Sequence, residues 1–131
     1  MADPINTRCD LMMFGALGDL AQRKLFPALY QLERAGLLHK GTRILAIARN
    51  KADSGEVRKT LLGKLKEHVR KDEFDADVAE KFLQRVDYQF LDFTNPEGYG
   101  VLNDWRSKEP SNLIVYMATP PAMYGEISRN L

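Results

Sequence analysis

Gly15-Ala16-Leu17-Gly18-Asp19-Leu20-Ala21 is the stretch of this sequence whose residue types and spacing are best suited to chemistry. It fits G-x-x-G-x-x-A, follows the short apolar run Leu11–Phe14, and opens a helical pattern. In that setting Gly15 permits a sharp strand-to-helix turn. Gly18 lets the backbone approach a ligand closely, and Ala21 keeps the helix near the strand. Exposed N–H groups and the positive end of a helix dipole then favour an anion, above all a pyrophosphate. Leu17 stands where the commoner G-x-G-x-x-G has its middle glycine. The spacing alone is therefore weak evidence, and the same residues also suit a tight turn with no ligand.

A second group, Ala48-Arg49-Asn50-Lys51, ends the apolar run Ile44–Ala48. In a dinucleotide fold the end of the second strand meets the adenosine ribose, where Asp or Glu accepts hydrogen bonds from a free 2′-hydroxyl. Arg49 has no acceptor, but its guanidinium can hold a 2′-phosphate through two parallel hydrogen bonds. Asp53 is nearby but lies several residues past the strand end. Arg49 and Lys51 can equally be ordinary loop cations. Taken with the glycine turn upstream, they favour NADP over NAD. Lys24, early in the helix, can reach an anion bound near the helix start, though it also reads as an exposed helix lysine. Pro120-Pro121 follows the apolar run Leu113–Ala118. Paired prolines restrict the backbone and remove N–H donors, which suits either a rigid shelf beside a coenzyme or a plain loop.

Positioning these residues requires a parallel α/β sheet. Leu11–Phe14 and Ile44–Ala48 are continuous apolar runs of the kind buried on both faces. Val86–Phe93 and Leu113–Ala118 supply two further strands. Between them lie helical patterns: Asp19–Ala35, closed by Gly36 and interrupted by Pro27; Glu56–Lys71, with Val57, Leu61, Leu65 and Val69 at every fourth position; Asp77–Gln84; Pro96–Arg106; and a last one from Ala122 onwards. Pro27 predicts a kink or break in the first of these. Alternating strands and helices predict an α/β, Rossmann-like doubly wound fold. Such a fold usually has about six strands. Residues 1–131 therefore read as one dinucleotide-binding domain, incomplete at the C-terminal side, with a complete small domain as the plainer alternative.

Bulk properties narrow the function classes. The 131 residues carry 44% hydrophobic and 28% charged side chains, which suits one soluble globular core. A net charge of +1 gives no long-range attraction to nucleic acid or to an anionic membrane, so anion binding must come from local geometry. The single Cys9 cannot form an internal disulfide, and neither His39 nor His68 lies in a metal-ligand spacing. Leu11–Leu17 is too short to span a bilayer, and the N-terminus lacks the pattern of a signal peptide, which leads us to expect a cytoplasmic protein.

The segment from Gly15 to Leu29 resembles the N-terminal signature of the glucose-6-phosphate dehydrogenases. It carries Gly18-Asp19-Leu20-Ala21, Arg23-Lys24-Leu25 and Pro27-Ala28-Leu29. Gly36-Leu37-Leu38, Ala48-Arg49 and Tyr116-Met117-Ala118-Thr119-Pro120-Pro121 agree in order and spacing, so the likeness runs from about Cys9 to Leu131. The resemblance implies oxidation of β-D-glucose 6-phosphate at C1 to 6-phosphogluconolactone, with hydride passing to NADP. It further implies the entry step of the pentose phosphate pathway and a homo-oligomeric enzyme. By position, Gly15, Ala16, Leu17, Gly18, Asp19, Leu20, Arg49 and Pro120 are the residues expected to bind the coenzyme. Lys24 would contact the sugar phosphate.

Three departures accompany the resemblance. Leu17 replaces a Ser or Thr whose hydroxyl can bond the coenzyme, which either shifts NADP selectivity towards Arg49 or weakens it. Gln22 replaces a frequent basic residue, a change expected to matter little. The family's Glu-Lys-Pro-Phe-Gly and Arg-Ile-Asp-His-Tyr-Leu-Gly-Lys segments, the second bearing the histidine base, are not present in these residues. These residues alone are therefore expected to be inactive. A stand-alone NADP-binding sensor is the alternative. A short-chain-type reductase does not fit, because no tyrosine is followed by lysine at the fourth position.

Overall fold

The apolar runs become the strands of one parallel sheet. In the computed structural model, residues 9–93, 95–105, 112–119 and 124–130 are described. β1 (Cys9–Phe14), β2 (Arg43–Ala48), β3 (Val86–Phe90) and β4 (Asn112–Met117) pair in the order β3-β2-β1-β4. Leu11 is in register with Ile44 on one side and Ile114 on the other, and Phe14 with Ile47 and Met117. β1 and β2 occupy the interior of the sheet and are covered on both faces, which is why their sequences are apolar without alternation. Along β4 exposure alternates, with Ile114 and Tyr116 each 41% exposed on one face.

Helices cover both sides, as a doubly wound fold requires. α1 (Phe26–Arg34), α2 (Ser54–His68) and α3 (Ala76–Leu83) pack on the face formed by Leu11, Met13, Ile44, Ala46 and Val86. α4 (Gly100–Trp105) and α5 (Tyr124–Asn130) contribute Leu102 and Ile127 to the opposite face, beside Met12, Phe14, Leu45 and Ile47. Successive residues of β1 and β2 thus point into different cores. Each fully buried Leu, Val or Ile contributes roughly 1.5–3 kcal/mol by leaving water.

Expected and observed elements differ where local chemistry intervenes. The helix expected over Asp19–Ala35 is broken, as Pro27 predicts. A π turn spans Ala21–Leu25, with the Phe26 N–H donating to the Ala21 carbonyl, and the α register begins only at Phe26. Pro27 has no N–H to continue the preceding register. α1 closes at Gly36, φ +72°, where the Leu37 N–H donates to the Leu32 carbonyl at 2.9 Å. α2 starts before Glu56 because Asp53 caps it, and ends before Val69, whose ψ of 139° is extended. α3 likewise begins just past a cap, Asp75, which accepts from the N–H groups of Asp77 and Val78.

β3 stops at Phe90 instead of reaching Phe93. The Phe93 side chain is buried against Phe14, with ring centroids 5.6 Å apart, and its carbonyl accepts from the Tyr99 hydroxyl at 2.8 Å. The helix expected over Pro96–Arg106 is a 3₁₀ turn (Pro96–Tyr99) followed by α4. At the amino ends of the strands, charges are paired. Arg43 forks onto the fully buried Asp10 at 3.2 and 3.3 Å while lying 4.3 Å over the Trp105 ring. Arg85 forks onto Glu33 at 3.0 and 3.2 Å and donates to the carbonyls of His39 and Thr42. Such pairing is what makes a buried carboxylate tolerable.

Candidate coenzyme site

β1 runs out at Phe14, and the chain turns sharply at the carboxyl end of the sheet. Gly15 makes the turn with φ +79°, a conformation that L side chains rarely adopt. The N–H groups of Gly15 and Ala16 both donate to the Ile47 carbonyl, at 2.9 and 3.1 Å, holding the turn against the end of β2. On the other side the Ala118 N–H donates to the Phe14 carbonyl at 2.8 Å. The chain crosses from β1 to β2 on one side, whereas β4 lies on the other. The turn therefore sits at a topological switch point, where open α/β sheets bind ligands.

The Gly18 N–H donates to the Gly15 carbonyl at 3.0 Å, closing the turn. Gly18, Asp19 and Leu20 are exposed. The N–H groups of Asp19, Leu20 and Ala21 have no hydrogen-bond acceptor among the described residues. Orphan donors at an open helix start suit an anionic ligand. Ala16 and Ala21 are fully buried in the same core, so a small side chain at each lets the helix approach the strand. Leu17 is half-buried and packs against that core. Asp19 pairs with Arg23 at 3.3 Å on the surface, which offsets its negative charge beside an anion site. Gln22 was expected to matter little, but its side-chain amide donates to the Leu17 carbonyl at 3.0 Å and braces the turn. Its amide is neutral, as is the backbone it holds, so charge patterning along the sequence does not reveal this role.

Lys24 lies exposed within the π turn, with no hydrogen bond or ion pair to a described residue. Arg49 is the first residue after β2, exposed and equally without a described side-chain partner. Two residues before it stands Ile47, whose carbonyl holds the glycine turn. Asp53, the nearest acid, accepts the Glu56 N–H at 2.8 Å as the cap of α2. That hydrogen bond holds its carboxyl below the ordinary value, against the smaller opposing effect of desolvation. The first acid after β2 is thus committed to capping a helix.

Pro120 and Pro121 lie outside the described residues. Just before them, the Thr119 hydroxyl is buried with no hydrogen-bond partner among the described residues, and its methyl group lies beside Gly15. His39 precedes β2 and accepts the Gly41 N–H on its Nδ1 at 2.9 Å, while His68 ends α2 ahead of β3. Both therefore belong to the amino end of the sheet, opposite the turn.

Comparisons with known proteins agree with this geometry. Residues 12–131 match the family described as Glucose-6-phosphate dehydrogenase, NAD binding domain. The chain is 37% identical over 124 residues to the glucose-6-phosphate 1-dehydrogenase of Mycolicibacterium smegmatis, covering 91% of this chain and 25% of that protein. It is 39% identical over 123 residues to the enzyme of the same name from Dickeya dadantii, covering 94% of this chain and 25% of that protein. Among solved structures, glucose-6-phosphate 1-dehydrogenase from Mycobacterium avium superposes with a TM-score of 0.86 at 27% identity, over 95% of this chain and 26% of that one. A glucose-6-phosphate dehydrogenase in complex with its substrate glucose-6-phosphate superposes with a TM-score of 0.80 at 30% identity, over 100% of this chain and 28% of that one. The chain spans about a quarter of the length of these relatives. A parallel sheet with a glycine turn at its switch point, matched along nearly its whole length, shows that the chain belongs to the NAD-binding-domain family of the glucose-6-phosphate dehydrogenases.

Proposed function

We propose that this chain is the NADP-binding part of a glucose-6-phosphate 1-dehydrogenase. The reaction oxidises β-D-glucose 6-phosphate at C1 to 6-phosphogluconolactone, the entry step of the pentose phosphate pathway. The proposal includes a homo-oligomeric enzyme working in the cytoplasm. NADP, when bound, supplies the hydride acceptor. The backbone from Gly15 to Leu20 holds the pyrophosphate and Arg49 the 2′-phosphate, and Pro120 is a further coenzyme-binding residue of this reading. Lys24 extends from the same helix towards the sugar phosphate. No described histidine stands at this end of the sheet, so these residues bind and orient, and the base comes from elsewhere in the protein. The relatives named above are dehydrogenases, which supports an enzyme over a stand-alone sensor.

The observation that carries the coenzyme reading is Arg49, an exposed guanidinium without a described partner directly after β2, where an NAD site would place an acid. Calorimetric titration of NADP and NAD into wild type and Arg49→Ala tests it. A charge-assisted pair is worth about 1.5–3 kcal/mol, so NADP affinity is expected to fall roughly 10–150-fold. NAD affinity should change less than about twofold, since NAD has no 2′-phosphate for Arg49 to lose. Unchanged NADP binding would sink the assignment.

A further inference from the structure

We propose that Tyr88 is a positioning residue for coenzyme selectivity, acting through Asn50 to aim Arg49 at the 2′-phosphate; the inference rests on the reading of Arg49 given above. Tyr88 lies on β3 in register with Ala46, so its side chain lies on the same face as that of Ala46. Its hydroxyl donates to the carbonyl of Asn50, the residue immediately after Arg49. Its own N–H donates to the Ser54 hydroxyl at 3.0 Å, at the first residue of α2. One residue therefore clamps both ends of the connection that carries Arg49.

The clamp matters because the connection has little else to hold it. Residues 49–52 make no backbone-to-backbone hydrogen bond with a described residue. Lys51 lies over the Phe90 ring at 5.8 Å, a loose contact. Arg49 has no described side-chain partner, so the path of its backbone sets where its guanidinium can reach. A bidentate pair with phosphate demands a fixed approach, and an anchored backbone lowers the ordering cost on binding. NAD presents no phosphate at this position, so it gains nothing from the aim. The Tyr88 ring packs against the core beneath α2, and burial pushes the phenol above its ordinary value, keeping it a donor.

Tyr88→Phe keeps the ring and the backbone bond and removes only the hydroxyl. NADP and NAD are titrated into the full-length protein as wild type, Tyr88→Phe, Arg49→Ala and the double variant. Loss of one such hydrogen bond is expected to weaken NADP about fivefold in Tyr88→Phe, with NAD within about twofold of wild type. In the Arg49→Ala background the same change should have no further effect on NADP, because the group it aims is gone. Equal weakening of NADP and NAD, or a loss that persists without Arg49, marks Tyr88 as structural support only and overturns the proposal. NADP binding unchanged in Tyr88→Phe but lost in Arg49→Ala also overturns it, and leaves the Arg49 reading standing. NADP binding unchanged in Arg49→Ala overturns both.

Discussion

Gly15 and Ala118 meet so closely that a Cβ added to Gly15 would lie 2.5 Å from the Ala118 carbonyl oxygen. The obstacle is backbone, at the place where the ends of β1 and β4 converge. With φ at +79°, a side chain there is strained even before the clash. Gly15→Ala is expected to destabilise the fold by about 2–4 kcal/mol, combining left-handed strain with overpacking. Urea denaturation measures this, and a loss below about 0.5 kcal/mol, the scale of a neutral surface change, would contradict it.

Lys24 offers a test that separates substrate from coenzyme. It is exposed in the π turn and has no described partner, so its replacement leaves no orphaned carboxylate. In the full-length enzyme, Lys24→Ala should raise KM for glucose 6-phosphate by about 10–100-fold, the worth of a hydrogen bond to a charged group. NADP affinity should stay near wild type. If NADP binding fell and KM held, Lys24 would belong to the coenzyme instead.

Asp53 makes a prediction in pH. Its carboxyl is lowered in the folded state, chiefly by the Glu56 N–H it accepts. A depressed folded value means that the cap's contribution is complete above the ordinary carboxylate range and is lost as pH falls through the lowered one. Carboxyl carbon NMR should give Asp53 a titration midpoint below 3.8, and a midpoint at or above 3.8 would refute the cap. Asp53→Asn keeps an acceptor at the cap and should remove the acid-side dependence.

The turn geometry of the candidate site was readable along the chain because its requirements are local. The turn from Gly15 to Ala21 needs particular residues at particular spacings, and these sit within a few positions of one another. Arg49 was readable for the same reason, since the end of the apolar run Ile44–Ala48 marks the end of β2. The helix break at Pro27 follows from a missing N–H on one residue.

Other roles depend on partners distant in sequence. Tyr88 and Asn50 stand 38 positions apart, and nothing in either residue type announces their bond. Gln22 differed from the family's usual residue in charge, yet its role is to brace a carbonyl. Asp53 lies several residues past the strand end, and its bond to the Glu56 N–H as the cap of α2 appears only in the folded chain.

By itself, then, the sequence determined the periodicities, the glycine turn, the cation after β2 and the family. Backbone dihedral limits and apolar spacing act within a few residues, so they are written locally. Only the tertiary structure decided that β4 pairs with β1, so that the Ala118 carbonyl leaves no room at Gly15, and that β3 reaches over to hold the connection carrying Arg49. Those choices come from packing every apolar face at once, which no stretch of sequence expresses alone.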